Sequence, residues 1–283
     1  DADLVVTHSA AYGARLAADK RGLPNVAIVL QPMLLMSAYD PPIVATMPRL
    51  SRWIYRRGLG PTRAYLNLGK RLGRRWARPI EALRHRIGLP ASSEHPLFEG
   101  QLRGEAQIAL FSPLFGGPQP DHPPALHIVG FAFYDSETGG QNDLTEEMKR
   151  FIASGPAPYV FTQGTSAVQD AEDFIRESLA AIEHLKSRAV LVLDAQRAEQ
   201  WRSRATSDVM ITGYAPYSKL FPLAHANVHH GGVGTTAQAL RAGKPQLIAP
   251  YLVDQPDNAA RVERLGCGRG LDLKSYRAAL VGE

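Results

Sequence analysis

The residues best suited to chemistry stand together in Ala226-Asn-Val-His229-His230-Gly231-Gly232-Val233-Gly234-Thr235-Thr236-Ala237. An apolar strand-type run enters a glycine-rich turn and leaves as a helix. Glycines let backbone approach a ligand closely, and a helix N-terminus offers unpaired N–H groups and partial positive charge. Thr235 and Thr236 add hydroxyls and His230 an imidazole at the mouth. The pattern reads as an anion cradle, and with no lysine in it, it is not a Walker A loop. Two other readings stay open. One is a tight structural turn. The other is a dinucleotide fingerprint, since Gly232-Val-Gly234-Thr-Thr-Ala237 has the G-x-G-x-x-A form and Asp254 follows about 20 residues on.

Three further segments end apolar runs in the same manner. Pro158-Tyr-Val-Phe-Thr162-Gln163-Gly164-Thr165-Ser166 is a second candidate donor loop. Ile211-Thr-Gly213-Tyr214 offers Tyr214 either for stacking on a flat ring or as a core-edge tyrosine. Pro250-Tyr-Leu-Val-Asp254-Gln255-Pro-Asp-Asn258 offers groups suited to sugar hydroxyls, or an Asp254 N-cap. His85, His95, His122, His127, His184 and His225 show no metal-ligand spacing, and no metal site is expected.

Positioning such loops requires parallel strands with crossover helices. Strand-type runs fall at 3–7, 25–30, 106–111, 126–129, 158–162, 189–193, 208–211, 225–229 and 246–249. Helical periodicity lies between several of them, clearest at 170–186 and 235–242. The expected class is α/β, with two domains meeting between Gly130 and Asn142. Asp143-Leu-Thr-Glu146 reads as the N-cap of the next helix.

A length of 283 residues suits about two domains. With 45% hydrophobic and 21% charged residues the chain can fill a core. Its single cysteine, Cys267, excludes an internal disulfide framework and fits a reducing, cytoplasmic setting. The net charge of +5 hides a strong asymmetry. Residues 49–86 hold twelve Lys or Arg against one acid, Glu81, interleaved with Trp53, Leu66, Leu68, Leu72 and Trp76. That segment reads as basic amphipathic helices, either a solvated face packed on its own domain or a surface that docks on an anionic membrane. No recognised nucleic-acid motif accompanies it. The chain opens on Asp3-Leu4-Val5-Val6-Thr7, without an initiator Met or a leader, and reads as beginning partway through a sheet.

Gly213-Tyr-Ala-Pro, Val228-His-His-Gly-Gly-Val-Gly-Thr-Thr, Ala242-Gly-Lys-Pro, Pro250, Asp254-Gln255 and Asn258-Ala259, in this order, resemble the nucleotide-sugar signature of family 1 glycosyltransferases. Gln31-Pro32, Ser37-Ala-Tyr-Asp-Pro-Pro42, Pro118-Gln-Pro120, Gly130-Phe131 and Tyr134-Asp135 are similar to bacterial members of the macrolide-glycosyltransferase and rhamnolipid-rhamnosyltransferase type. The resemblance implies the GT-B fold, two Rossmann-like α/β domains with parallel sheets. Residues 1–135 would be a partial acceptor-side domain, and 143–283 a nucleotide-sugar-binding domain lacking its final helices.

It implies inverting, metal-independent transfer from a UDP- or dTDP-sugar to a hydrophobic small-molecule or lipid acceptor, with no further cofactor. Tyr214 would stack on the base. His230, Gly232, Gly234 and Thr235, helped by Gly164 and Thr165, would hold the diphosphate. Asp254 and Gln255 would bind the sugar. Gln238 stands where many members carry a ribose-binding Glu, which leaves UDP and dTDP both open. The family's catalytic base, a histidine on an earlier strand, would lie upstream of Asp1. No catalytic residue is therefore assigned, and His8 is read as structural. Two alternatives of other classes remain, a nucleotide-sugar-binding module without transfer and an NAD-dependent oxidoreductase.

Overall fold

The computed structural model describes residues 2–134, 143–163 and 171–281. The chain divides into two compact units, Asp1–Ala132 and Phe133–Glu283.

The first unit contains β1 (Val5–His8), α1 (Tyr12–Arg21), β2 (Asn25–Val29), α2 (Pro48–Tyr55), α3 (Leu59–Arg86), β3 (Ala106–Ala109) and β4 (Leu126–Ile128). Its four strands lie parallel in the order β1-β2-β3-β4. Alternate residues of β2, Ala27 and Val29, are fully buried, as period-2 geometry demands of an inner strand. The 28-residue α3 buries only Thr62, Leu66, Gly73 and Ala77. Small residues at 73 and 77 bring the helix close to its neighbours, and a Cβ on Gly73 would come within 3.0 Å of the Phe98 ring.

The second unit contains α4 (Glu146–Ala153), β5 (Tyr159–Thr162), α5 (Ala171–Leu185), β6 (Ala189–Val192), α6 (Ala195–Trp201), β7 (Val209–Thr212), α7 (Tyr217–Leu220), β8 (Asn227–His229), α8 (Val233–Ala242), β9 (Gln246–Ile248), α9 (Gln255–Arg264), β10 (Gly268–Gly270) and α10 (Ala278–Val281). All six strands are parallel, in the order β10-β9-β8-β5-β6-β7. Both faces of the sheet are covered, and β6 is apolar along its whole length. Ala189, Val190, Leu191 and Val192 are all buried. Phe161, Leu191 and Val228 pack with Phe174, Ile175 and Ile182 of α5 on one face. Val160, Val190 and Val192 pack with Leu220, Phe221 and Ala239 on the other. The C-terminal segment returns onto α5, where Tyr276 stacks on Phe174 at 4.8 Å and shares a 2.7 Å hydrogen bond with Ser178.

All nine expected strand runs form strands. The tenth, Gly268–Gly270, has no apolar residue to announce it. It forms because glycine lets its backbone close on β9, and a Cβ at 268 would fall 2.2 Å from the Gln246 carbonyl oxygen. The cap of α4 also differs from expectation. Thr145, not Asp143, is the N-cap and accepts from Met148 N–H at 3.2 Å. Asp143 accepts from Leu144 N–H and pairs with Lys149.

Candidate functional site

In the second unit the chain leaves β5 toward β6 and β7, then returns to β8 on the other side of β5. The boundary between β5 and β8 is the topological switch point, where open parallel sheets bind ligands outside their carboxyl ends. Register places Thr162 opposite His229, so Gln163 and His230 leave the sheet side by side.

His229 is fully buried beneath this edge. Its Nδ1 accepts from Gly231 N–H at 3.1 Å, so the proton sits on Nε2 and is donated to Gln246 Oε1 at 3.0 Å. Burial pushes its pKa down to about 4. His229 is thus held as a neutral ring of one tautomer that ties the glycine turn to β9. Gly231 has φ +90°, and a Cβ there would meet Ile248 Cγ2 at 2.6 Å, so only glycine fits. His230 is also buried and neutral, its pKa lowered to about 4 by desolvation. Its Nε2 lies 2.6 Å from where a Cβ on Gly232 would be, and its buried Nδ1 has no hydrogen-bond partner among the described residues. An orphaned ring nitrogen at a helix start calls for a polar partner.

No side chain caps α8 at Gly232. The N–H groups of Gly234 and Thr235 therefore lack intrahelical partners. A Cβ at Gly234 would meet nothing within 4 Å among the described residues. The turn ends cleanly at the far side of α8, where Gly243 at φ +66° donates to Leu240 C=O.

The segment after β9 closes on the same turn. Asp254 occupies the N-cap position of α9, yet its side chain makes no capping bond to that helix. Its carboxylate instead accepts from Asn258 Nδ2 at 2.8 Å and from Val233 N–H, the first residue of α8. Burial raises its pKa. The same Asn258 Nδ2 donates to Gly231 C=O at 2.8 Å, joining the acid to the glycine turn. Gln255 Oε1 accepts from Tyr251 N–H at 2.7 Å and Leu252 N–H at 3.1 Å, so its carbonyl end closes its own loop. Val253 sits at φ +53°, a strained conformation for a β-branched residue.

Tyr214 follows β7 and is half-buried, with Thr212 Oγ1 bonded to its carbonyl at 3.0 Å. Gln238 is buried within α8 rather than presented at the surface. Gly164 and Thr165 lie outside the described residues. The sheet edge thus gathers Tyr214, His230, Gly232, Gly234, Thr235, Asp254 and Gln255. Its supporting contacts, His229 with Gln246 and Asn258 with Gly231, join segments seventeen and twenty-seven residues apart. The paired histidines were a sequence signal, but their division into a structural ring and a free ring was not. Among the described residues, no group of three His, Cys, Asp or Glu side chains comes together to hold a metal ion.

Residues 176–281 match the family described as erythromycin biosynthesis protein CIII-like, C-terminal domain. The O-mycaminosyltylonolide 6-deoxyallosyltransferase of Streptomyces fradiae is 32% identical over 193 residues, 68% of this chain and 44% of that protein. In sequence the chain is similar to family 1 glycosyltransferases. Solved structures agree on the GT-B fold. Os79 from O. sativa in complex with UDP aligns with TM-score 0.67 at 17% identity, over 99% of this chain and 67% of that one. VinC in complex with dTDP aligns with TM-score 0.59 at 20% identity, over 99% of this chain and 62% of that one. The chain spans less than half the length of the Streptomyces relative. The similarity over 176–281, which takes in Gly232–Ala237, weighs against the dinucleotide reading of that turn. The polar floor of β8, with Asn227 and His229 both buried, also departs from the apolar first strand of a dinucleotide fold.

In the first unit, His8 is exposed at the end of β1, and its Nδ1 accepts from Ala10 N–H at 3.1 Å, which shapes the turn into α1. Asp121 binds Ser37 Oγ at 2.5 Å and Ala38 N–H at 2.7 Å, joining the loop after β2 to the one before β4.

Proposed function

We propose that this chain carries the donor site of a glycosyltransferase that moves a sugar from UDP or dTDP to a hydroxyl of a hydrophobic small-molecule or lipid acceptor. The observation that carries the reading is the order of groups along the sheet edge. Tyr214 follows β7, His230 and the α8 N-terminus follow β8, and Asp254 follows β9. Strands are spaced by roughly 4.8 Å, so Tyr214 stands about 14 Å from the anion turn and Asp254 about 5 Å beyond it. Aromatic plane, anion cradle and acid succeed one another in the order of base, diphosphate and sugar.

The chemistry follows from that order. As the anomeric C–O bond to the diphosphate breaks, negative charge grows on the departing oxygen. The α8 N-terminus, the Thr235 hydroxyl and a His230 N–H aimed at the orphaned side stabilise it without a metal. The acceptor oxygen forms the new bond on the opposite face, inverting the centre, and its proton passes to a base outside the residues assigned here. UDP and dTDP are named because the two aligned structures hold them, and the hydrophobic acceptor because the Streptomyces relative's name carries one.

Titration calorimetry with UDP and dTDP on the wild type, His230→Ala and Tyr214→Ala, followed by a donor-hydrolysis assay, tests the reading. Binding that both substitutions weaken supports it. Wild-type affinity in both variants refutes the site. Binding without turnover favours the second reading, a donor-binding module.

A further inference from the structure

We infer that the outer face of α2 and α3 is a docking surface for an anionic lipid bilayer, held by arginines and inserted aromatic and leucine side chains. The reading deepens that of a hydrophobic acceptor by naming the surface from which such an acceptor would be taken. Sequence alone left open whether the apolar residues of 49–86 face the core. Leu66 and Ala77 do, but a second set does not. Leu68, Leu72 and Trp76 recur every four residues along one face of α3 and are 53%, 60% and 63% exposed. Trp53 on α2 is 54% exposed, with Leu50 three residues before it also exposed.

The core side of α3 is a separate, adjoining stripe, Thr62, Leu66, Gly73 and Ala77. The exposed stripe is therefore additional apolar surface and not the edge of the packing face. Arginines flank it. The Arg57 guanidinium lies 4.3 Å from the Trp53 ring centroid, and that of Arg75 lies 4.9 Å from Trp76. Arg71, Arg74, Arg78 and Arg86 are exposed, and none pairs with an acid among the described residues. The other cations of the segment are partly spent, Lys70 on Glu99 and Arg84 on Asp19.

Charge chooses the occupant. A protein partner for an apolar stripe needs no unpaired arginine rim, whereas an interfacial helix needs both an apolar face and cations at headgroup level. Among the described residues no helix is long and apolar enough to cross a membrane, so the contact would be peripheral.

The test uses vesicles and no turnover, so a failed transfer assay and a failed docking assay are separate results. The whole chain is mixed with vesicles of phosphatidylcholine alone or with 30–40% phosphatidylglycerol, roughly the charge of an anionic leaflet. Sedimentation is read alongside quenching of Trp53 and Trp76 by bromine-labelled acyl chains. Expected are binding to the anionic vesicles, release by high salt, and quenching. Arg71→Gln/Arg75→Gln/Arg78→Gln should weaken partitioning about a hundredfold, at roughly fivefold per cation. Leu72→Ser/Trp76→Ser should bind less with unchanged circular dichroism, since both side chains are exposed. Equal binding to neutral vesicles, or no quenching, overturns the proposal. So does sedimentation as a dimer that Leu72→Ser/Trp76→Ser returns to monomer, because the face would then belong to a second copy.

Discussion

Acidification should destabilise the C-terminal unit through His229 and His230, by an amount that the geometry fixes. Both rings are held neutral by burial, with pKa values near 4 against an ordinary 6.5. The unfolded chain takes up each proton first, so stability is complete above pH 6.5 and is lost as pH falls toward 4. For one such histidine the loss at pH 4.5 is about 2.5 kcal/mol, and for the pair roughly 5 kcal/mol at most. Asp254 acts in the opposite sense. Its raised pKa makes the folded state the better proton binder, so it offsets part of the loss at the acid end. Trp201 is the one tryptophan of the second unit, since the other two, Trp53 and Trp76, belong to the first. Urea unfolding followed by Trp201 emission in a Trp53→Phe/Trp76→Phe background reports that unit alone. In His229→Asn one titrating ring is gone while an amide donor toward Gln246 remains. Between pH 7.5 and 4.5 this variant should lose about 2.5 kcal/mol less stability than its parent. An identical loss in both would refute the assignment of the acid sensitivity to the buried ring.

Three further outcomes follow from the same site. His230→Ala should cost about 2–4 kcal/mol of transition-state stabilisation in a transfer-competent form, as removal of an oxyanion donor does, and kcat measured at saturating donor checks it. Binding of UDP should raise the His230 pKa by bringing negative charge to its unpartnered nitrogen; calorimetry near pH 5.5 in buffers of different ionisation enthalpy should show proton uptake, absent in His230→Ala. Gly231→Ala should cost at least about 2 kcal/mol from left-handed strain and the contact with Ile248, read as a drop in the urea midpoint at unchanged slope.

Much of this architecture was legible before any coordinate. Strand-type runs such as Ala189–Val192 declare themselves because both faces of a central parallel strand are buried. The strand–turn–helix passage at 227–242 declares itself because its glycines stand where an apolar strand run gives way to helical periodicity. What stayed hidden depends on neighbours distant in sequence. Nothing local says that His229 meets Gln246, seventeen residues on, that Asp254 meets Val233 at the start of α8, or that Asn258 reaches back to Gly231. The strand at Gly268 was invisible because its fitness is a lack of side chain. The burial of α3 was undecided because an amphipathic pattern two stripes wide looks the same whether the second stripe is covered or open.

The amide nitrogen of Asn258 holds both the carbonyl of Gly231 and the carboxylate of Asp254. Under the proposed donor site, the grip on the anion and the choice of sugar would then not be independent adjustments. A substitution near Asp254 that accommodates a different sugar would also disturb the glycine turn. Changes of donor in such a scaffold should therefore come as coupled sets of replacements, with single exchanges at 254 trading turnover for selectivity.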